Sequence, residues 1–315
     1  MANLAASKVK KIKIKHNYKR FIPMYLMMLP GLLYLLINNY IPMAGIIIAF
    51  KNINWTKGIL NSPSAGFSNF EYLFKTKDAW IITRNTLGYN LAFIILGTIL
   101  GVAIAIILNE IRSKFWQKSY QTVILIPYLI SMVVVSYLVY AMFSSESGFV
   151  NHSILAPLGI DRISWYTEPK YWPYILTTVH LWKTVGYSCI IYYATVVGID
   201  RSYYEAAVID GANRWKQIIH ITLPGLKATM ITLVLLAIGT IFYSDFGLFF
   251  QVPMDSGPLY DVTNTIDTYV YRGLIRLNDV GMSSAAGVYQ SLVGFTLVYL
   301  ANRVVLKFSK ENALF

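Results

Sequence analysis

One polar, partly basic insert, EAAVIDGANRWKQIIHITLP at residues 205–224, separates two long apolar stretches of the sequence. Its residue types suit contact more than catalysis. Glu205 supplies a single carboxylate, while Ala206 and Ala207 favour helix and add little bulk. Gly211, directly after Asp210, permits a backbone turn that other residues resist. Ser202 stands three residues before Glu205, the spacing of a capping box. There the hydroxyl accepts from the Glu205 backbone N–H, and the carboxylate returns to that of Ser202. The pattern predicts a helix from near Ser202, a break at Asp210-Gly211 and a second helical piece from Asn213 to Ile221. Trp215, Ile218 and Ile219 would share one side of that piece. Pro224 then suits the first turn of the next apolar helix, where its missing N–H costs nothing. These residues alone fit a docking surface and an ordinary amphipathic loop equally well.

Two further ionisable side chains lie within apolar stretches, Lys183 and Asp245. Charge inside a membrane is costly and often functional. Lys183 is open to two readings. In one it faces a water-filled cavity, meets a partner subunit or gates. In the other it is a structural ion pair or a snorkelling side chain. Asp245 sits beside Tyr243, Phe246, Phe249 and Phe250. A carboxylate among rings can hydrogen-bond sugar hydroxyls while C–H faces stack on the aromatics. An interfacial aromatic belt with one solvated acid is the plainer account. Lys183, Tyr243, Asp245 and Phe249 are therefore carried forward as substrate-pathway candidates. No G-x-x-x-x-G-K-[ST] stretch cradles phosphates, so the chain is not expected to hydrolyse ATP. His16, His152, His180 and His220 lack metal-ligand spacing, and the single Cys189 excludes an internal disulfide. No bound cofactor or metal is expected.

The elements that position these groups follow from composition. Of 315 residues, 56% are hydrophobic and 13% charged, with mean hydropathy +0.51. Soluble domains carry roughly 25% charged residues, so the chain reads as an all-α polytopic membrane protein. A bilayer core needs about 20 apolar residues in a helix. Six segments qualify: residues 21–50, 86–108, 120–143, 171–197, 223–250 and 285–306. The first is too long for a straight span, and Pro23, Pro30 and Pro42 with Asn38-Asn39 predict kinks. Residues 1–20 form a basic tail, and the apolar run after it exceeds a signal-peptide core, so a retained signal anchor is expected. The net charge of +12 concentrates at segment ends and gives no reason to expect nucleic acid. Regions on the side of the tail hold 17 Lys and Arg, those on the other side 9. Both termini and the insert at 198–224 should thus be cytoplasmic. The tail also suits anionic headgroups. Gly97 and Gly101 allow close helix packing. The outer stretch 251–284 carries Asp255, Asp261, Asp267 and Asp279, and its length fits contact with an extracytoplasmic partner.

The spacing Glu205-Ala206-Ala207, three residues, Gly211, nine residues, Ile221-x-Leu223-Pro224 resembles the EAA loop of bacterial ABC importer permeases. Asp210, Ala212 and Trp215 are similar to the sugar branch of that family. The resemblance covers most of the chain. Leu29-Pro30-Gly31, Tyr40-Ile41-Pro42 and Ala49-Phe50-Lys51 resemble the first segment of its polysaccharide and oligosaccharide permeases. Gly66-Phe67-Ser68-Asn69-Phe70 resembles their first outer loop, and Asn264 to Val270 their last. One departure stands out, since Arg201 occupies a position where a proline is usual. It should alter loop stiffness more than docking. The resemblance implies a type I importer permease with six transmembrane helices, residues 21–315 forming the permease domain, in a bacterial plasma membrane. It implies that the loop couples to a separate ATPase, with ATP and Mg bound there. The implied partners are a second homologous permease, two ATP-binding subunits and an extracytoplasmic sugar-binding protein. An ABC permease for another solute, or a secondary transporter or channel with an incidental EAA-like loop, is the alternative.

Overall fold

The computed structural model describes residues 21–308, except the side chains of Tyr72, Leu73 and Phe308. The basic tail before Phe21, and Lys310 near the other terminus, lie outside the described residues. The chain divides into two compact units between Ile47 and Ile48.

In the first unit, α1 (Ile22–Leu35) carries Pro23 in its first turn and Pro30 inside. A wide π turn follows at Leu36–Tyr40, closed by the Ile41 N–H on the Leu36 carbonyl. Pro42 comes next, within Ile41–Met43. A proline clashes with the carbonyl four residues back. Opening the preceding turn to i→i+5 bonding relieves that clash, so the expected kink takes this form. All side chains from Phe21 to Ala44 are exposed. A helix apolar all round and uncovered by its own unit demands lipid or another protein surface.

In the second unit, α2 (Asp78–Glu110), α3 (Lys114–Leu129) and α4 (Met132–Phe143) are followed by α5 (Trp172–Val197). The insert supplies α6 (Arg201–Ile209) and α7 (Arg214–Gln217), and α8 (Leu223–Gly239) leaves it. The last helices are α9 (Ile266–Ile275) and α10 (Val280–Phe308). Apart from one bridge between Lys51 and Ser64, the described residues are helix, turn or loop. The chain is thus an all-α polytopic membrane protein. Four helical stretches are long and apolar enough to cross a bilayer: Ile22–Phe50, Asp78–Glu110, Arg214–Gly239 and Val280–Lys307. A fifth arises if α3 and α4, which meet at 94°, count as one broken span. Helix α5, with 26 residues, falls outside that set.

Helix α2 packs along α5. Gly101 sits where a Cβ would lie 3.0 Å from Ser188 Oγ and 3.2 Å from Tyr192, whereas one on Gly97 would only touch Leu181 at 3.9 Å. The close approach therefore depends on Gly101. Farther along, Phe93 stacks on His180 at 3.7 Å between ring centres. Buried Tyr89, Phe93, Val135, Leu176 and Phe249 belong to one core cluster, and Val102, Cys189, Tyr192 and Leu226 to another.

The stretch expected to run unbroken from 223 to 250 does not. Helix α8 stops at Gly239. Irregular backbone follows, and polar side chains satisfy it. Asn90 Nδ2 donates to the carbonyls of Ile241 and Tyr243, both at 2.9 Å, and Gln290 Nε2 donates to that of Phe242 at 2.9 Å. Asp267 accepts from the Ser244 N–H at 2.6 Å and hydroxyl at 2.7 Å. Non-helical backbone at membrane depth persists only when protein satisfies it. Here Asn90, Asp267 and Gln290 do so.

The four acids of the 251–284 stretch are all engaged within the chain. Asp255 binds Arg272 at 2.8 Å and also Arg276, Asp261 pairs with Arg84 at 3.5 Å, and Asp267 holds Ser244. Asp279 accepts from the Met282 N–H at 2.8 Å at the start of α10.

Candidate functional site

The insert is a helix, a tight stop and a second helix, held at its base and bare at its tip. Helix α6 begins one residue before Ser202, but the cap is Asp200, whose Oδ1 accepts from the Ser202 backbone N–H at 2.9 Å. The expected Ser202–Glu205 box is therefore replaced by a shorter-range carboxylate cap. That hydrogen bond, and then the Ser202 hydroxyl, hold the Asp200 carboxyl below its usual range. The helix ends in a Schellman stop. Ala212 N–H returns to the Ala207 carbonyl at 2.8 Å and Gly211 N–H to that of Val208 at 3.0 Å. This motif needs a left-handed residue after the helix, and Gly211 provides it with φ +75°.

Asn213 then caps α7, accepting from the Lys216 N–H at 3.0 Å. Buried Gln217 turns back to donate to the Ala212 carbonyl at 3.0 Å. The second helix does not stop at Ile221. A π turn at Ile218–Thr222, closed by the Leu223 N–H on the Ile218 carbonyl, carries it into α8. Pro224 stands in the first turn of α8, as expected, and the π turn joins that turn to α7 in one helical stretch. The wide turn before it absorbs the clash, as it does before Pro42.

Three contacts anchor the base. Tyr204 Oη meets Thr222 Oγ1 at 2.9 Å, and Arg214 lies 3.8 Å from Glu110 at the end of α2. A Cβ on Gly225 would fall 2.6 Å from Ile199, so α8 seats directly on the start of the insert. The tip is left open. Glu205, Ala206, Asp210 and Gly211 are exposed, and Ala207, Ala212, Ile221 and Leu223 are half-buried, with Pro224 exposed. Ile209 is 86% exposed, Trp215 72% and Val208 61%. Glu205, Val208 and Ile209 share one face of α6 by spacing. Large apolar side chains are thus left exposed on a braced tip.

The other candidates lie elsewhere. Lys183, near the middle of α5, donates to the carbonyls of Pro127, Tyr128 and Ile130 where α3 ends. No carboxylate pairs with it among the described residues. Asp245 is exposed, and its Oδ1 accepts from the Leu248 N–H at 3.1 Å, capping the π turn Gly247–Gln251. Phe249 is buried against Tyr89, with ring centres 4.8 Å apart. Tyr243 is exposed, with its carbonyl held by Asn90. Lys183 thus faces the end of α3, whereas Asp245 and Phe249 belong to the segment around the Gly247–Gln251 turn. Sequence reasoning missed Asp200, though an Asp directly before a helical run is a capping signal, and it missed Asn90, Asp267 and Gln290, whose partners are distant in sequence. No group of three or more His, Cys, Asp or Glu arranged to hold a metal occurs among the described residues.

Comparison with known proteins places this geometry in context. Residues 94–250, which include the entire insert, match the model of the binding-protein-dependent transport system inner membrane component family. The protein LplB of Bacillus subtilis is 33% identical over 92% of this chain and 90% of its own length. The polygalacturonan/rhamnogalacturonan transport system permease YteP of the same organism is 34% identical over 97% and 94%. A solved bacterial ABC transporter involved in import of the acidic polysaccharide alginate contains a chain that superposes with TM-score 0.84. It is 30% identical, covering 92% of this chain and 97% of that one. ATP and Mg are used by a separate ATPase subunit in this family, and the permease itself is not catalytic. The chain belongs to the family of inner-membrane components of binding-protein-dependent transport systems, as an ABC importer permease of the carbohydrate-uptake branch coupled to a separate ATPase.

Proposed function

We propose that this permease imports oligosaccharides or polysaccharide fragments, and that residues 205–224 are the surface through which the ATPase drives it. The observation that carries the coupling role is the braced insert with Val208, Ile209 and Trp215 bare at its tip. Glu205, Ala206, Ala207, Asp210, Gly211, Ala212, Trp215, Ile221, Leu223 and Pro224 build or frame that surface. The positive-inside distribution of Lys and Arg supports a cytoplasmic insert and cytoplasmic termini. Counting the α3–α4 elbow and α5 with the four apolar stretches gives six spans. At 1.5 Å per residue, α5 is about 39 Å long, enough to cross.

One such subunit provides half a pathway, so a second homologous permease lies beside it, with two ATP-binding subunits below. A binding protein delivers sugar from outside. Closure of the ATPases pulls the insert and opens the pair outward, and hydrolysis resets it inward. The substrate class rests on the relatives, one named for polygalacturonan and rhamnogalacturonan and one solved with alginate uptake as its role. Tyr243, Asp245, Phe249 and Lys183 are candidates for the substrate path, and the internal bonding of Lys183 and Asp245 favours supporting roles.

The test replaces Glu205 by Trp in the assembled complex. Membrane insertion should be normal, with ATPase binding weakened and uptake of oligogalacturonides abolished. Wild-type uptake would refute the coupling role.

A further inference from the structure

Lys183 has a geometry that neither a snorkelling side chain nor an ion pair accounts for. An ammonium has three donors and no acceptor. Here it reaches three carbonyls: Tyr128 at 3.1 Å, Pro127 at 3.3 Å, and Ile130. These belong to the C-terminal end of α3, where carbonyls run out of helical partners, Pro127 keeping only the Ile130 N–H at 3.3 Å, and the helix dipole is negative. A cation supplied from another helix satisfies both needs. Directly after Ile130, Ser131 Oγ accepts from the Val134 N–H at 3.4 Å and starts α4. Lys183 therefore sits at the 94° elbow of the broken span.

A second contact lies one turn along the same face of α5. A Cβ on Gly186 would stand 2.0 Å from the Ile124 carbonyl oxygen, so the α3 backbone passes directly against α5. Tyr128 and Tyr187 stack beside it at 4.9 Å and 13°. Lys183, Gly186 and Tyr187 thus fasten α3 and its elbow to α5 by hydrogen bond, backbone approach and ring stacking. At its C-terminal end α5 runs through Gly198 into the insert, and at the elbow Met132 packs on Gly247, where a Cβ would lie 2.8 Å from Met132 Cγ.

We infer that Lys183 is a positioning residue for transport: it locks the elbow to α5, so that displacement of the insert reaches the elbow and the Gly247–Gln251 turn as one rigid body. The inference rests on the coupling role of the insert. With Lys183 present, the elbow cannot lag behind α5. Without it, the carbonyls of Tyr128 and Ile130 lose the ammonium and Pro127 is left with the Ile130 N–H alone, the 94° angle has no clamp, and motion of α5 dissipates at the break.

The experiment uses the reconstituted complex in a Cys189→Ala background, with spin labels at exposed Leu129→Cys on α3 and Tyr174→Cys on α5. In the wild type the distance between them should be the same in the nucleotide-free and vanadate-trapped states. Lys183→Met keeps the stem and removes the donors. It should broaden that distance and lower sugar-coupled oligogalacturonide uptake about tenfold or more, the scale of a lost charged hydrogen bond. Lys183→Arg should restore the narrow distance. A wild-type distance that changes between the two states overturns the inference, and so does a Lys183→Met distance as narrow as the wild type. The wild-type measurement decides the matter even if Lys183→Met fails to assemble. A second pair, Ile209→Cys and Ile107→Cys, reports on the insert itself. If it does not move with nucleotide, the coupling role fails. If it moves while the Leu129–Tyr174 distance also varies, only the lock fails.

Discussion

At Gly211 a left-handed backbone closes the Schellman stop of α6, with φ +75° and open space around the position where a Cβ would be. Its replacement is thus a pure test of conformation rather than of crowding. Gly211→Val should cost about 1–2 kcal/mol locally, reorient Trp215 relative to Glu205, and loosen ATPase binding without blocking membrane insertion. Co-purification of the ATPase subunit measures this. Asp200 offers a second residue-scale test. Its folded pKa lies below its unfolded value, so its cap contributes in full above the ordinary carboxylate range. That contribution is lost as pH falls through the folded value. Amide protection at Ser202 and Tyr203, measured relative to the intrinsic exchange rate at each pH, should fall on acidification, and Asp200→Ala should lower it at neutral pH. Unchanged exchange in that variant would place the cap elsewhere. The sequence made Gly211 legible because only glycine serves such a turn. It misdirected the reading of the cap because Ser202 and Glu205 fit a familiar spacing, while Asp200 reaches Ser202 from a shorter distance.

Among elements, the α3–α5 crossing is the tightest backbone approach described. Gly186→Leu should force the Ile124 backbone away, costing on the order of 1–3 kcal/mol or more and lowering the thermal stability of the detergent-solubilised chain. Gly97→Ala, by contrast, should be near neutral, because Leu181 leaves a Cβ room at 3.9 Å. Equal effects of the two substitutions would contradict the packing. Apolar length alone made α2 and α10 legible. It could not show that α8 ends at Gly239, because the side chains that satisfy the exposed backbone there are Asn90, Asp267 and Gln290, far away in the sequence. The elbow between α3 and α4 was hidden for the same reason. Its clamp is Lys183, whose charge was visible but whose carbonyl partners are 53 to 56 residues away.

For the whole molecule, the proposed substrate class rests on two relatives, one named for polygalacturonan and rhamnogalacturonan and one for alginate. A screen of the cognate binding protein against oligogalacturonides, rhamnogalacturonan fragments and alginate oligosaccharides should give one clear stabilising class in thermal-shift measurements. Stabilisation by an amino acid or phosphate alone would redirect the substrate assignment while leaving the permease family untouched. Purified complexes should contain a second, homologous permease, and a homodimer on mass photometry would replace that expectation. The family was legible from one insert, because its residues stand at short-range, fixed spacing. Substrate was not, because Asp245 caps the Gly247–Gln251 turn and Phe249 is buried against Tyr89.

The wide turns before Pro42 and Pro224 share one wording of the chain: five residues in π geometry, one intervening residue, then proline. Each turn holds one residue more than an α-helix would, so it works as a phase shifter. An extra residue rotates everything after it by about 100° around the helix axis. Downstream of Ile218–Thr222, this rotation sets which face of α8 meets Ile199 and which meets the bilayer. Proline then acts as a latch, because the turn cannot tighten to ordinary pitch while the ring stands against the carbonyl four residues back. The aim of α8 is thus fixed by an additional residue and a ring that keeps it from being squeezed out.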